Sequence, residues 1–228
     1  MGNKSHWENI QGEAKEYDAL IPKLIPYYHE QNDLIISLIP FKTDSELKVL
    51  DLGGGTGNLA LLILRTFLNS KVTVFDVAEK MLDICKVKLA SYNDKTDFIQ
   101  GDFTVENLGG GYDLIISSLA IHHLEDDRKK DTYNMIYISL EPGGTFLNRD
   151  IVLGATPALT KEYEALWKRF INSNGEDPDI WFDRYLNEDI PASVEDQIGW
   201  LKKTGFDEVG CHWRHLNFAI FGGRKVKA

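Results

Sequence analysis

Asp51, Gly53, Gly55 and Gly57 fall within the stretch VLDLGGGTGNLA (49–60). An apolar run rich in branched residues stops at a carboxylate, passes four glycines in five positions, and resumes with helix formers. Such a strand, tight turn and helix start aim backbone N–H groups at a ligand. The dinucleotide fingerprint needs glycine at i, i+2 and i+5; counted from Gly53, the third position is Asn58. The alternating pattern acid-x-Gly-x-Gly-x-Gly is met in full. A carboxylate at that strand end would repel a pyrophosphate. It favours a cation such as the ammonium and sulfonium of S-adenosylmethionine (SAM). A turn that needs glycine only for its dihedrals would leave the acid unexplained.

Further residues of chemical type follow at later strand ends. Asp76, about twenty residues on, stands where an acid grips a ribose diol in either cofactor class. Asp102, after FIQG, is placed to accept from an adenine amine while Phe103 packs on the ring. Each acid alone reads as an ordinary surface residue; three at successive strand ends share one ligand-binding edge. His122 and His123 are the base candidates, needed only if an acceptor arrives protonated. One of two neighbours faces a cavity, and packing against the next helix is the alternative for the other. Tyr17, Tyr27 and Tyr28 either close over the cofactor or pack. Arg149 and Asp150 either touch substrate or pair with each other at the surface. Tyr163, Trp167, Trp181, Phe182 and Tyr185 suit a lid over an organic acceptor or a helical core, with Arg169 and Arg184 able to read an anionic group.

The elements that must hold these residues alternate. LKVLDL (47–52), KVTVFDV (71–77), DFIQGD (97–102), YDLIISSL (112–119) and GGTFLNRDIV (143–152) read as strands. Helices are predicted over 58–69, over 79–92 with apolar spacing at Met81, Leu82, Cys85 and Leu89, and over roughly 126–140 before Pro142. This alternation predicts an α/β, doubly wound parallel sheet. Residues 5–40 read as helices broken at Pro22 and Pro26, and 155–190 as a helical insertion. A helix over 193–204 precedes FDEVGCHWRH and LNFAIFGG, two strands so closely joined that they must be antiparallel. The expected organisation is one domain over 1–228, with 1–44 as an N-terminal helical cap and 155–190 as a lid.

Net charge is −10, and nucleic-acid binding would require a basic stripe. The dense basic runs, RKK (128–130) and GGRKVK (222–227), read as solvated surface. Arg65 interrupts LALLILRTFL, which is too short to cross a bilayer. MGNKSH begins like a myristoylation site but carries His6 where Ser or Thr is needed. Two cysteines, Cys85 and Cys211, read as buried free thiols of a reducing cytoplasm with no metal spacing. A cytoplasmic monomer or homodimer acting on a small molecule, with no membrane or nucleic-acid partner and no metal, is the expectation.

VLDLGGGTG, VTVFDVAEKML, FIQGDF, YDLIISSLAIHHL and LEPGGTFLNRD resemble, in order, the motifs of class I SAM-dependent methyltransferases. EYD with IPKLIPYY is similar to the N-terminal helices of small-molecule members. The resemblance implies a Rossmann-like seven-stranded sheet in the order 3-2-1-4-5-7-6, strand 7 antiparallel. It implies Asp51, Gly53, Gly55 and Gly57 around the methionine part, and Asp76 and Val77 at the ribose and adenine edge. Asp102 and Phe103 would then hold adenine, Ser118 would lie beneath the cofactor, and Tyr17 would close over it. His123 is preferred over His122 as catalyst, and Tyr28, Arg149, Trp167, Arg169 and Arg184 are substrate candidates. The implied reaction is methyl transfer from SAM, leaving S-adenosylhomocysteine (SAH). A SAM-modifying enzyme, a non-catalytic SAM-binding protein and an NAD-dependent dehydrogenase are the alternatives.

Overall fold

The computed structural model describes residues 14–226; the start of the expected N-terminal helices and the MGNKSH motif lie outside them. Seven strands form one sheet: β1 (Lys48–Leu52), β2 (Lys71–Asp76), β3 (Thr96–Gln100), β4 (Tyr112–Ser118), β5 (Leu140–Ile151), β6 (Asp207–His215) and β7 (Phe218–Arg224). Their order is β3-β2-β1-β4-β5-β7-β6. The first five are parallel, and β7 runs antiparallel to both β5 and β6. β1, β2 and β4 are apolar runs buried along nearly their whole length, as strands covered on both faces must be.

The helices are α1 (Ala14–Leu24), α2 (Tyr28–Leu38), α3 (Asn58–Thr66), α4 (Glu79–Lys88), α5 (Asp126–Ser139), α6 (Pro157–Ser173), α7 (Pro178–Glu188) and α8 (Val194–Thr204). Their ends are written locally. Thr156 and Asp177 cap α6 and α7 ahead of Pro157 and Pro178. Ser193 accepts from the Asp196 N–H at the start of α8, and Gly205 closes it with φ 114°, the left-handed stop that glycine adopts without steric cost. No helix among the described residues is long and apolar enough to cross a membrane.

Several expectations are corrected here. Pro22 lies inside α1; the break falls at Ile25–Tyr27, where Tyr27 takes φ 57°. β5 starts at Leu140, so Pro142 sits within its span rather than ahead of it. Cys85 is buried, but Cys211 is exposed, because β6 is the sheet's outer strand and one of its faces is not covered. Gly222 and Gly223 of the supposed surface run are buried in β7.

Lys129, the middle of RKK, is fully buried. Its ammonium donates to the carbonyls of Leu124 and Ile190 and to Asp126 Oδ1. The loop after β4 and the loop after α7 are thereby tied to α5. Lys129→Met should leave both carbonyls without a donor and cost about 1–3 kcal/mol, read as a lower urea midpoint at unchanged m-value.

Candidate functional site

A cavity of about 700 Å³ opens at the carboxyl ends of β1, β2 and β4. Strand order reverses between β1 and β4, the switch point at which open α/β sheets bind ligands. Asp51, Gly53, Gly55, Asp76, Val77, Asp102, Phe103, Ser118, His123, Arg149, Tyr17 and Tyr28 all line it. Thus most of the residues singled out from the sequence meet in one place.

The glycine turn is built for close approach. Gly53 has φ +71°, and a Cβ there would lie 2.3 Å from Ala120 Cβ at the end of β4. Gly57 does not line the cavity. It starts α3 with φ +78°, where a Cβ would meet Cys85 Sγ at 2.4 Å. The turn is fastened to β2 by Asp76: Oδ2 accepts from the Gly55 N–H at 2.7 Å and Oδ1 from the Ala78 N–H at 2.8 Å. From the other side Asp18 of α1 accepts from Thr56 Oγ1 and Asn58 Nδ2 and pairs with Lys88 at 2.6 Å. Asp18, Thr56 and Asn58 were not singled out from sequence, since short polar residues near a turn carry no distinctive pattern.

Electrostatically the lining is acidic. Burial pushes the Asp51 carboxyl up to about 7, although the Ala60 N–H bonded to it works the other way. Burial also raises Asp76, against the N–H groups of Ala78, Gly55 and Val77. Asp102 Oδ1 is taken by the Thr104 N–H and hydroxyl, and the residue lines the cavity. Such a set suits a ligand bearing a cation, a diol and an amine.

The adjacent histidines part company. His122 is buried outside the lining; its Nδ1 is hydrogen-bonded to Asp150 Oδ1 and its Nε2 lies 3.4 Å from Asp189 Oδ1. Burial alone would lower its pKa, but the Asp150 charge and the bonds from both carboxylates raise it to about 10. Asp189, which burial alone would raise, is pulled down to about 2 by His122 and His123. This shift favours the imidazolium form of His122, which has no basic lone pair to offer. His123 lines the cavity, with Nδ1 3.0 Å from the same Asp189 oxygen. Candidate ligand atoms of His122, His123 and Asp189 lie within 4.8 Å of one another, a spacing that would admit a cation only with His122 neutral.

Arg149 and Asp150 are both buried and do not pair with each other. Successive β5 side chains point to opposite faces, so Arg149 reaches the cavity while Asp150 meets His122. The three remaining substrate candidates lie away from the cavity. Trp167 donates from Nε1 to the Leu24 carbonyl and packs against Phe182, Tyr185 and Phe218. Arg184 stacks on Trp181, and Arg169 is exposed. The aromatic insertion thus forms a second small core with α1. Only Asn187, Glu188 and Ile190, at and just beyond the end of α7, reach the cavity.

The sheet order, with a glycine turn and acidic strand ends at the switch point, defines the class I SAM-dependent methyltransferase fold. Residues 49–144 match the family described as a methyltransferase domain. The chain thus has the class I SAM-dependent methyltransferase fold, and the family match covers 96 of its 228 residues. Human N-acetylserotonin methyltransferase in complex with SAM superposes with a TM-score of 0.67 at 20% identity, covering all of this chain and 61% of that one. Haemonchus contortus phosphoethanolamine N-methyltransferase 2, also with SAM, gives 0.67 at 16% identity over 97% and 60%. This chain therefore spans about three fifths of those structures. Among sequence relatives, carboxy-S-adenosyl-L-methionine synthase of Nautilia profundicola is 25% identical over 211 residues, 91% of this chain and 90% of that protein. The enzyme of the same name from Campylobacter concisus is 26% identical over 218 residues, with the same coverages.

If His122 is held as an imidazolium, its contribution to stability is complete below its ordinary value of 6.5 and is lost as pH rises towards 10. NMR of the ring nitrogens should show His122 doubly protonated at pH 8 and Asp150→Asn shifting its titration downward. A wild-type ring titrating near 6.5 would overturn the assignment.

Proposed function

We propose that the chain transfers the methyl group of SAM to a small organic acceptor held between the cofactor and His123. The observation that carries this reading is the convergence of Asp51, Asp76 and Asp102 on one cavity at the β1/β4 switch point, with His123 lining the same cavity. When bound, SAM supplies an electrophilic methyl on a good leaving group, so the protein's task is alignment and exclusion of water.

In this reading Asp51, buried at the end of β1, faces the ammonium of the methionine part. Asp76 keeps free lone pairs for the ribose hydroxyls after accepting its two backbone N–H bonds, and Asp102 with Phe103 receives adenine. Tyr17, its phenol kept protonated by burial, closes the cofactor side from α1. His123 accepts the proton of an acceptor hydroxyl or amine as the nucleophile attacks the methyl carbon. Asp189 holds the ring in the tautomer that leaves Nε2 as acceptor, the orienting role a carboxylate plays beside a catalytic imidazole.

A second reading is a SAM-modifying enzyme. The names of the sequence relatives favour it, since those proteins are synthases of a carboxylated SAM. Incubating the chain with SAM, an acceptor pool and a pool of carboxylic acids as carboxyl donors separates the two: SAH and a methylated acceptor support methyl transfer, and a carboxylated SAM with a decarboxylated donor, detected by mass, supports the second. His123→Ala should lower methyl transfer by about 10²–10⁴-fold with SAH affinity within about twofold. An unaffected rate would remove His123 from the chemistry.

Cofactor binding should also be linked to protons. Asp51, raised to about 7, must be ionised to meet an ammonium, so SAH affinity should fall as pH drops from 8 to 6. The slope approaches about tenfold per unit below 7. Asp51→Asn should bind more weakly and lose that slope, measured by calorimetry across this range.

A further inference from the structure

Arg149 stands out by what it is paired with. It is 2% exposed, yet among the described residues no carboxylate bonds to it, and Asp51 acts on it only at a distance. Nε donates to Ser118 Oγ at 2.9 Å, Nη1 donates to Asn32 Oδ1 at 2.6 Å, and the guanidinium lies 4.7 Å from the Tyr28 ring centroid. A buried charge is ordinarily matched by an opposite one, because hydrogen bonds to neutral groups do not restore the solvation it has lost. Burial depresses its pKa, but a guanidinium does not give up its proton in a protein. Among the described residues Arg149 is also the one Arg or Lys in the cavity lining, against Asp51, Asp76, Asp102 and Glu188.

We propose that Arg149 is the cavity's carboxylate-binding residue, its planar fork completing the coordination of a ligand carboxylate beside Ser118. The proposal rests on the SAM reading above. Two ligands supply that chemistry: the amino-acid end of the cofactor itself, and an acidic acceptor. Guanidinium geometry matches a carboxylate through two parallel N–H bonds. The stack on Tyr28 and the bond to Asn32 hold its plane in position, so α2 takes part in setting the anion site.

Calorimetric titration of the wild-type chain with SAM and with decarboxylated SAM, each repeated on Arg149→Gln and Arg149→Lys, tests the first source. Wild-type preference for SAM of about tenfold or more, abolished in Arg149→Gln and reduced in Arg149→Lys, assigns the carboxylate to the cofactor. Thermal shifts of the SAH complex with added malonate test the second. Stabilisation in wild type that is absent from Arg149→Gln assigns the site to the acceptor. If wild type neither prefers SAM over its decarboxylated form nor responds to malonate, the proposal is overturned without recourse to any variant. It is equally overturned if Arg149→Gln folds, with the lower melting temperature of a structural residue, but keeps the wild-type preference and malonate response. Failure of the wild-type chain to bind either SAM or SAH would instead sink the cofactor reading on which the proposal rests.

Discussion

One carboxylate decides whether this cavity exists. Asp76 ends β2 and accepts backbone N–H bonds from two different loops, Gly55 in the turn after β1 and Ala78 at the start of α4. Without it, the glycine turn would be free to take any of the many conformations glycine permits. Burial makes this costly, as the raised pKa of Asp76 records. The two N–H donors offset that cost by bonding the charged form. The remaining positions follow: Gly53 passes Ala120 with no room for a Cβ, Asp51 is sealed beneath the turn, and α1 docks onto Thr56 and Asn58 through Asp18.

The part of the cavity that carries His123 is held by a second electrostatic unit. His122, Asp150 and Asp189 form a buried cation with two carboxylates, and His123 shares Asp189. A protonated His122 bonds to both acids in a dry environment and holds Asp189 ionised. The arrangement places positive charge behind the carboxylate that orients His123. Asn148 adds a donor to Asp150 Oδ2, and the Ile190 N–H bonds the His122 carbonyl. Adjacent histidines thus serve unlike ends, one as a structural ion and one on the cavity surface.

How much of this was legible depended on which physical signal each residue carries. Alternating apolar runs and the acid-glycine spacing report backbone geometry directly, so the parallel sheet and the Asp51 turn could be read from the chain. Lys129 could not, because a basic run on a polar helix looks solvated whether or not loops later fold over its middle member. Arg149 and Asp150 look like a surface pair as neighbours in sequence; only their place in β5 sends them to opposite faces. The aromatics of α6 and α7 have helical spacing, which is equally the signature of a core, and Trp167 with Tyr185 became one. Asp189 had no local pattern at all: its partners lie more than sixty positions away.

Lys129 grips the carbonyls of Leu124 and Ile190, and Ile190 in turn grips His122. The histidine loop and the rim after α7 are for that reason a single rigid block. Evolution cannot enlarge or reshape this wall a residue at a time without releasing its clamp. Tyr17, Ile21 and Tyr28 of α1 and α2 line the same cavity from elements that this clamp does not hold. A change of cavity shape that keeps the clamp is therefore accommodated at α1 and α2.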